Sequence, residues 1–362
     1  MIDISFLNQL KKFSIIVNKR ITSSFAGSKK STVLGRGLVV NDFRQYVPGD
    51  DYRTIDWKIF APILNRAMYH EPKGPGGCPP YDYVMMFKIL ILQEYFGLSD
   101  EQAEFQITDR FSFMRFLELR SCDQVPDQNT IWNFREQLKA DDVVKKLFQR
   151  FHRELENHGM IVNKGKIIDA SIVEVPVQRN TKEENEEIKK GIIPSEWKEE
   201  PSKLSHKDID ARWLTKNGED FYGYKNSIKI DRKKKFIDEY IVTDAATHDS
   251  IPGKKVLTKK DKGQPLYGDS AFTGAPFEKV VARCGMKNRI HEKGYRDHPL
   301  TKRQQERNTK KSKIRARVEH VFGFLSQVTG GVFIRTVGLA RAKIKIGLLN
   351  LTYNLFRYTF YA

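Results

Sequence analysis

Cysteine is scarce, with Cys78, Cys122 and Cys284 the three examples in a chain of 362 residues. They are isolated and odd in number, with no C-x-x-C pair and no matching histidine spacing, which excludes a disulfide framework and a thiolate zinc cage. Long apolar runs are missing too: no stretch of about 18 apolar residues reads as membrane-spanning. The opening FLNQLKKFSIIVNKR is too short and too interrupted for a secretory signal, so a cytoplasmic protein without membrane contact is expected. Negative charge is in deficit, 45 Asp and Glu against 63 Lys and Arg, for a net +18 and a pI near 9.6. A surplus of that size points to a polyanionic partner, with nucleic acid the first candidate. With 40% apolar residues the chain can still fill a core and hold two or three domains.

Composition changes along the chain. Residues 1–62 mix a short amphipathic segment with Gly- and Ser-rich sequence and then LGRGLVVNDFRQYVPGDDYRTIDWKIFA, which reads as a separate module. PKGPGGCPP, near Pro72 to Pro80, is a linker or extended loop, because Pro and Gly interrupt both helix and strand. Residues 63–160 read as helical. YDYVMMFKILILQEYFG has Val84, Phe87, Ile91 and Tyr95 near one face and further apolar positions widening the stripe, so a buried helix is expected. Ser99 with Gln102 forms a capping box, Pro126-Asp127 opens another helix, and a fourth takes 141–158. Arg110, Arg115, Arg120 and Arg135 lie on these short helices, which suits either a helix-turn-helix-like DNA reader or solvated basic faces on a bundle.

From about 161 to 362 the pattern becomes mixed α/β. GKIIDASIVEV, FYGYKNSIKID, KFIDEYIVTDA, PLYGDSAF and NRIHEK read as strands, with helices near 275–284 and around Glu319. A charged insertion at about 178–220 reads as a solvated loop or a DNA-backbone clamp. Three carboxylates stand out: Asp169 amid Ile167, Ile168, Ile172 and Val173, Asp269 in LYGDSAF, and Glu319 in SKIRARVEHVFGFL. An ionised Asp in an apolar strand needs a cation to neutralise it. Three acids without a Cys or His cage suit Mg²⁺, which prefers carboxylate oxygens and retains waters. Two such ions about 3.5–4 Å apart can activate a water or 3′-hydroxyl and stabilise the leaving oxygen of a phosphodiester. His248-Asp249-Ser250 reads as a turn capping a helix, since a Ser nucleophile would need a base and an oxyanion hole as well.

The strings PPYDYVMMFKILILQ, LSDEQAEFQITDRFSFMRFL, VPDQNTIWNFREQL, QRNTKEEN, KDIDARW, YGYKN, TDAATHDS, GDSAF, SKIRARVEHVFG and KIGLLNLTYNLFR follow one another in an order that resembles insertion-sequence-five family transposases, over residues 57–357. The resemblance implies an RNase H-like DDE catalytic core behind an N-terminal helical DNA-binding region. It implies Asp169, Asp269 and Glu319 as catalytic, metal-binding acids, two Mg²⁺ ions with Mn²⁺ able to substitute, and strand cleavage and transfer at terminal inverted repeats. Terminal-repeat and target DNA, a homo-oligomer on DNA and a prokaryotic, nucleoid-associated location follow from it as well. Arg315 and Glu319 match the Arg and Glu of a Y(2)R(3)E(6)K pattern, while Ser312 and Ser326 replace its Tyr and Lys, and Cys78 stands where relatives carry Arg. Arg315 is placed to neutralise a phosphate or to hold Glu319. Lys225 and Asn226 of YGYKN, and Arg135, are DNA-binding candidates, with sheet-edge placement the alternative for the first two. The run Arg44, Tyr46, Pro48 to Asp51, Arg53 and Ile55 to Trp57 resembles domain-of-unknown-function family fifty-eight, so a truncated fusion is expected. A DNA-binding derivative that no longer transposes is the competing expectation.

Overall fold

A computed structural model describes residues 56–69, 79–176, 178–216, 218–295, 298–328 and 333–361. The run from Arg44 to Ile55, the rest of the N-terminal module before it, and the stretch from Pro72 to Cys78 lie outside the described residues.

The helical region contains α1 (Ala61–Met68), α2 (Tyr83–Phe96), α3 (Asp100–Asp109), α4 (Phe111–Leu117), α5 (Gln128–Gln137) and α6 (Val143–Asn157). Local chemistry sets its boundaries. The Asp82 carboxylate caps α2 by accepting from the Met85 amide at 2.8 Å, and Gly97, at φ +65°, closes the helix in the left-handed conformation. Ser99 and Gln102 form the expected reciprocal capping box on α3, and Asp127 caps α5 through the Thr130 amide. Helix α2 is buried continuously from Met85 to Glu94, further round than one stripe requires. Its charged members are paired at the rim of the core: Lys88 with the exposed Glu118 at 2.6 Å and Glu94 with Lys345 at 2.7 Å.

Trp57 and Phe60 belong to the helical region rather than to the N-terminal module. Trp57 packs edge-on against Phe87 and Phe116, and Phe60 against Phe87 and Phe151.

The second half is built on a mixed sheet. Strand β1 (Lys166–Glu174) runs antiparallel to β3 (Glu219–Asp231), which pairs on with β4 (Ile237–Asp244) and, at its start, with β2 (Arg212–Lys216). On the other side β5 (Pro265–Tyr267) and β6 (Lys287–Asn288) continue parallel to β1. NRIHEK therefore contributes no strand of its own beyond Asn288, because the chain leaves the sheet there to reach the helix Lys302–Arg315. Helices α10 (Ser250–Val256) and α11 (Ala275–Arg283) cover one face through Ile168, Leu266, Phe272, Phe277 and Val281. Side chains alternate along a strand, so Asp169, next to Ile168, faces the opposite side. That side meets α12 (Lys302–Arg315) at β5 and the short turn Ala316–Val318 at β1, and α13 (Glu319–Val328) follows the turn.

The two halves share one core. Helix α14 (Leu339–Tyr358) packs against α2, α6 and β4. A Cβ at Gly347 would come within 2.6 Å of the Tyr240 hydroxyl and 2.8 Å of Val144, so this crossing requires glycine. Glu136 on α5 holds Arg341 on α14 at 2.8 and 2.7 Å, and Phe148 on α6 packs edge-on against Tyr240 on β4.

The charged insertion departs from a solvated loop. It folds into α7 (Lys182–Lys189), α8 (Ser195–Glu199) and α9 (Pro201–His206) around Trp197, which is fully buried and donates to Glu184 at 3.0 Å. Buried Asp208 organises its return to the sheet: it accepts from the Tyr224 hydroxyl at 2.7 Å and the Gly338 amide at 3.1 Å. Asn180 and Asn185 donate to the carbonyls of Asp208 and Ala211. Much of QRNTKEEN and KDIDARW is thus folding chemistry.

Asn226 on β3 and Asn350 on α14 exchange reciprocal hydrogen bonds of 2.9 and 3.1 Å, both buried. Replacing Asn350 by leucine leaves the Asn226 amide unpaired and should lower stability by roughly 1–3 kcal/mol. Urea denaturation checks this; an unchanged midpoint contradicts it.

Candidate active site

Three elements deliver the three acids. Asp169 comes from the middle of β1, and Asp269 follows the end of β5, where it accepts from the Ala271 amide at 2.9 Å and caps the turn Ser270–Phe272. The parallel register pairs Ile167 with Tyr267, and each Asp lies two residues further on, so both arrive at one level on one face. Glu319 is the first residue of α13, just past the short turn that breaks the helix after Arg315.

Arg315 ties the group together. Its Nη1 donates to Asp169 Oδ2 at 2.8 Å, and its Nη2 lies 3.7 Å from Glu319 Oε1. Its Nε is buried without a hydrogen-bond partner. The Asp169 side chain is 13% exposed against 65% for Glu319, so one acid forms the floor and the other the solvent rim. Burial pushes the Asp169 carboxyl up to about 6, and nearby Asp269 adds to the rise, while Arg315 and the Ala170 amide oppose it. Beside the acids, His291 receives the Ser312 hydroxyl contact at 3.3 Å. Burial, then Arg315 and Lys311, hold that imidazole below its ordinary range, favouring the neutral ring. A cavity of about 600 Å³ lined in part by His291, Arg289, Tyr295 and Lys311 opens next to it.

Among the described residues no three His, Cys, Asp or Glu side chains stand close enough to hold one metal ion. The donors are nevertheless of the right kind. Hard carboxylate oxygens converge on a positive charge, one of them too buried to ionise readily without it. In this arrangement the guanidinium of Arg315 supplies that charge.

The model of the Transposase DDE domain family matches residues 163–355, and that of the Transposase domain (DUF772) matches residues 51–137. The chain belongs to the DDE transposase family. The match from residue 51 takes in the IDW stretch and the segment that packs on α2. This transposase is also similar, at 11% identity and a TM-score of 0.43, to a solved structure titled as a cryo-EM structure of piggyBac transposase synaptic complex with hairpin DNA, over 86% of this chain and 75% of that one. No helix among the described residues is long and apolar enough to cross a membrane.

Three candidate DNA contacts of the transposase are spent inside its fold. Lys225, 6% exposed on interior strand β3, donates to the Thr247 carbonyl at 2.9 Å and pairs with Asp249 at 2.8 Å, fixing the turn before α10. That turn carries His248-Asp249-Ser250, with His248 Nδ1 2.9 Å from the Ser250 hydroxyl and no side-chain cap on the helix. Asn226 is committed to Asn350, and neither residue lies at a sheet edge. Arg135 is paired with Asp100 and donates to Gln93 at 2.9 Å, joining α2, α3 and α5. Ser326 is exposed and, among the described residues, donates within its own helix to the Gly323 carbonyl.

The raised pKa of Asp169 has a definite sign. The folded carboxyl binds a proton more tightly than the unfolded one, so its contribution is fully present below the unfolded pKa and is lost as pH rises through about 6. Metal-free wild type should therefore lose about 1 kcal/mol more than Asp169→Asn between pH 5 and 7.5. Parallel urea titrations of the two proteins measure the difference; equal pH dependence contradicts it.

Proposed function

We propose that this transposase cleaves DNA at the terminal inverted repeats of an insertion sequence and joins the freed 3′-hydroxyl to target DNA, on an RNase H-like core with Asp169, Asp269 and Glu319 as the metal-holding acids. The observation carrying the proposal is the convergence of a buried Asp and an exposed Glu on the Arg315 guanidinium, with a second Asp at the same level of the neighbouring parallel strand. Magnesium fits the donor set, two ions being the expected number and Mn²⁺ the expected substitute. When bound, the ions supply activation of the attacking oxygen and stabilisation of the leaving one.

The chain does the rest. Asp169 is fixed by strand register and by the Ala170 amide, and Asp269 by its turn, so two donors are held rigidly before DNA arrives. Glu319, at a helix start after a break, completes the set from a separate element. With metal held by the acids, Arg315 would be free to leave Asp169 and to turn its donors, including the unpartnered Nε, towards the phosphate being cut. Self-association on paired ends is part of the proposal.

The test is cleavage of a duplex carrying the sequences that flank this gene. Nicking at the element boundary in Mg²⁺, abolished by chelator, is the expected result. Binding without cleavage under any divalent ion would support a transposition-inactive DNA-binding derivative instead.

A further inference from the structure

Lys225 and Asn226 are internal and Arg135 is half-buried in an ion pair, yet the excess of positive charge must be displayed somewhere. Six cations gather at one place. The β3–β4 turn brings Arg232, Lys233, Lys234 and Lys235 together, Arg317 joins from the short turn after α12, and Arg357 from the end of α14. The contacts between them are direct: Arg317 Nη1 donates to the Arg232 carbonyl at 2.9 Å, and Arg357 Nε to the Lys234 carbonyl at 2.9 Å. Arg357 and Lys234 also stand over the ring of Tyr361, at 5.0 and 5.1 Å.

No carboxylate among the described residues forms an ion pair with any of these cations. The acid in the turn, Asp231, is fully buried. Its Oδ1 accepts from the Asn163 amide at 3.1 Å, and its Oδ2 from the amides of Lys233 and Lys234 at 3.0 and 2.8 Å. Asp231 therefore shapes the turn without neutralising its side chains. Burial, then Arg357 and Arg317, hold the Lys235 ammonium below its usual range, as expected where cations crowd without a counter-ion. Lys145, Lys166 and Lys229, by contrast, each have a carboxylate partner.

The patch adjoins the acids. Arg317 lies between Arg315 and Glu319, two residues from each. The Arg232 guanidinium stands over Tyr267, 5.6 Å from the ring centre, and Tyr267 precedes Asp269 by two residues. Lys166, opposite Asp231 in the β1–β3 register, is three residues from Asp169, roughly 10 Å along the strand. That spans about three phosphates of one DNA strand, at roughly 3.4 Å of helix rise each.

We propose that Arg232, Lys233, Lys234, Lys235, Arg317 and Arg357 form a binding site for the phosphate backbone of DNA leading away from the scissile phosphate. The site rests on the transposase reading above and supplies the backbone grip that Lys225, Asn226 and Arg135 do not. Its contacts are to phosphate, so it positions the strand and carries no sequence preference of its own.

The experiment compares the full chain with an R232Q/K233Q/K234Q triple variant and a control triple, K146Q/K190Q/K198Q, on exposed lysines outside the patch. Binding to a duplex carrying the flanking sequences is measured from low to physiological salt without divalent ions. For the patch variant the slope of log affinity against log salt should fall by about 2–3, with at least tenfold weaker binding at physiological salt and an unchanged melting temperature, whereas the control triple follows wild type. Equal slopes for the two triples overturn the proposal. So does a patch variant that binds DNA like wild type. Wild-type cleavage in Mg²⁺, assayed on the same duplex, separates the two ideas: its absence counts against the catalytic reading, while the slopes alone decide the patch.

Discussion

Glu319→Ala will reduce metal-dependent strand cleavage by at least about 10³-fold while leaving DNA affinity within about twofold. The size follows from the proposed role: a metal-holding carboxylate would carry several kcal/mol of transition-state stabilisation, and each 1.36 kcal/mol is tenfold in rate. The sparing of affinity follows from position. Glu319 is an exposed acid at a helix start, and its side chain supports no packing, so the fold survives its loss. Removing negative charge beside DNA also cannot weaken phosphate binding. Asp169→Asn and Asp269→Asn should match the loss in rate, although the first also breaks the Arg315 contact and is the less clean test of chemistry. Single-turnover cleavage with parallel binding curves distinguishes the outcomes, and a Glu319→Ala enzyme retaining more than a tenth of the wild-type rate removes Glu319 from the site.

Asp238→Asn will lower stability by about 3–5 kcal/mol, because it leaves a buried ammonium without its counter-ion. The Asp238 and Lys166 side chains are 5% and 2% exposed and directly paired, and His152 Nε2 lies 3.3 Å from Asp238. Burial alone would push the Asp238 carboxyl up. Lys166, His152 and Lys229 outweigh it and bring the carboxyl down to about 2. The sign is therefore opposite to that of Asp169: this contribution is present above the unfolded carboxylate pKa and is lost as pH falls through about 2. Acid unfolding of wild type should steepen below about pH 4, and Asp238→Asn should flatten that limb. A Lys166→Met/Asp238→Leu double variant should recover most of the loss, since the pair's value lies mainly in mutual neutralisation. Denaturant midpoints within error of wild type for Asp238→Asn would contradict this.

What could be read from the sequence divides along physical lines. Capping residues act within three or four positions, so Ser99 with Gln102 and Asp127 announced their helices directly. Asp169 stood out because an acid amid Ile and Val conflicts with burial, and the register then set Asp269 beside it. Composition located excess positive charge without locating its partners. Lys225, Arg135 and Lys166 look like free cations in one dimension and are paired in three, through partners as distant in sequence as Asp238 is from Lys166. The insertion misled for a related reason: its charged residues cover the surface of a small core whose fully buried centre is Trp197. His291 carried no signal, because a lone histidine in NRIHEK gains its meaning only when α12 brings Ser312 and Arg315 alongside. The run DRKKKF drew no reading from the sequence, since its link to Arg317 and Arg357 depends on tertiary contacts.

Arg315 also bears on how the site is poised. Its guanidinium neutralises the acids in the structure, which explains how a buried Asp169 is tolerated beside Asp269. A cation of fixed charge already held at the acids would keep the site ordered until metal and DNA arrive together.

The most direct test of the central claim is where a divalent ion binds. Ferrous iron bound in place of magnesium, with ascorbate and peroxide, cuts a polypeptide beside its own ligands. Cuts clustered next to Asp169, Asp269 and Glu319, suppressed by excess Mg²⁺ and lost in Glu319→Ala, are the predicted result. Cuts elsewhere, or a pattern that Mg²⁺ and the substitution leave unchanged, would show that these three acids do not hold the metal.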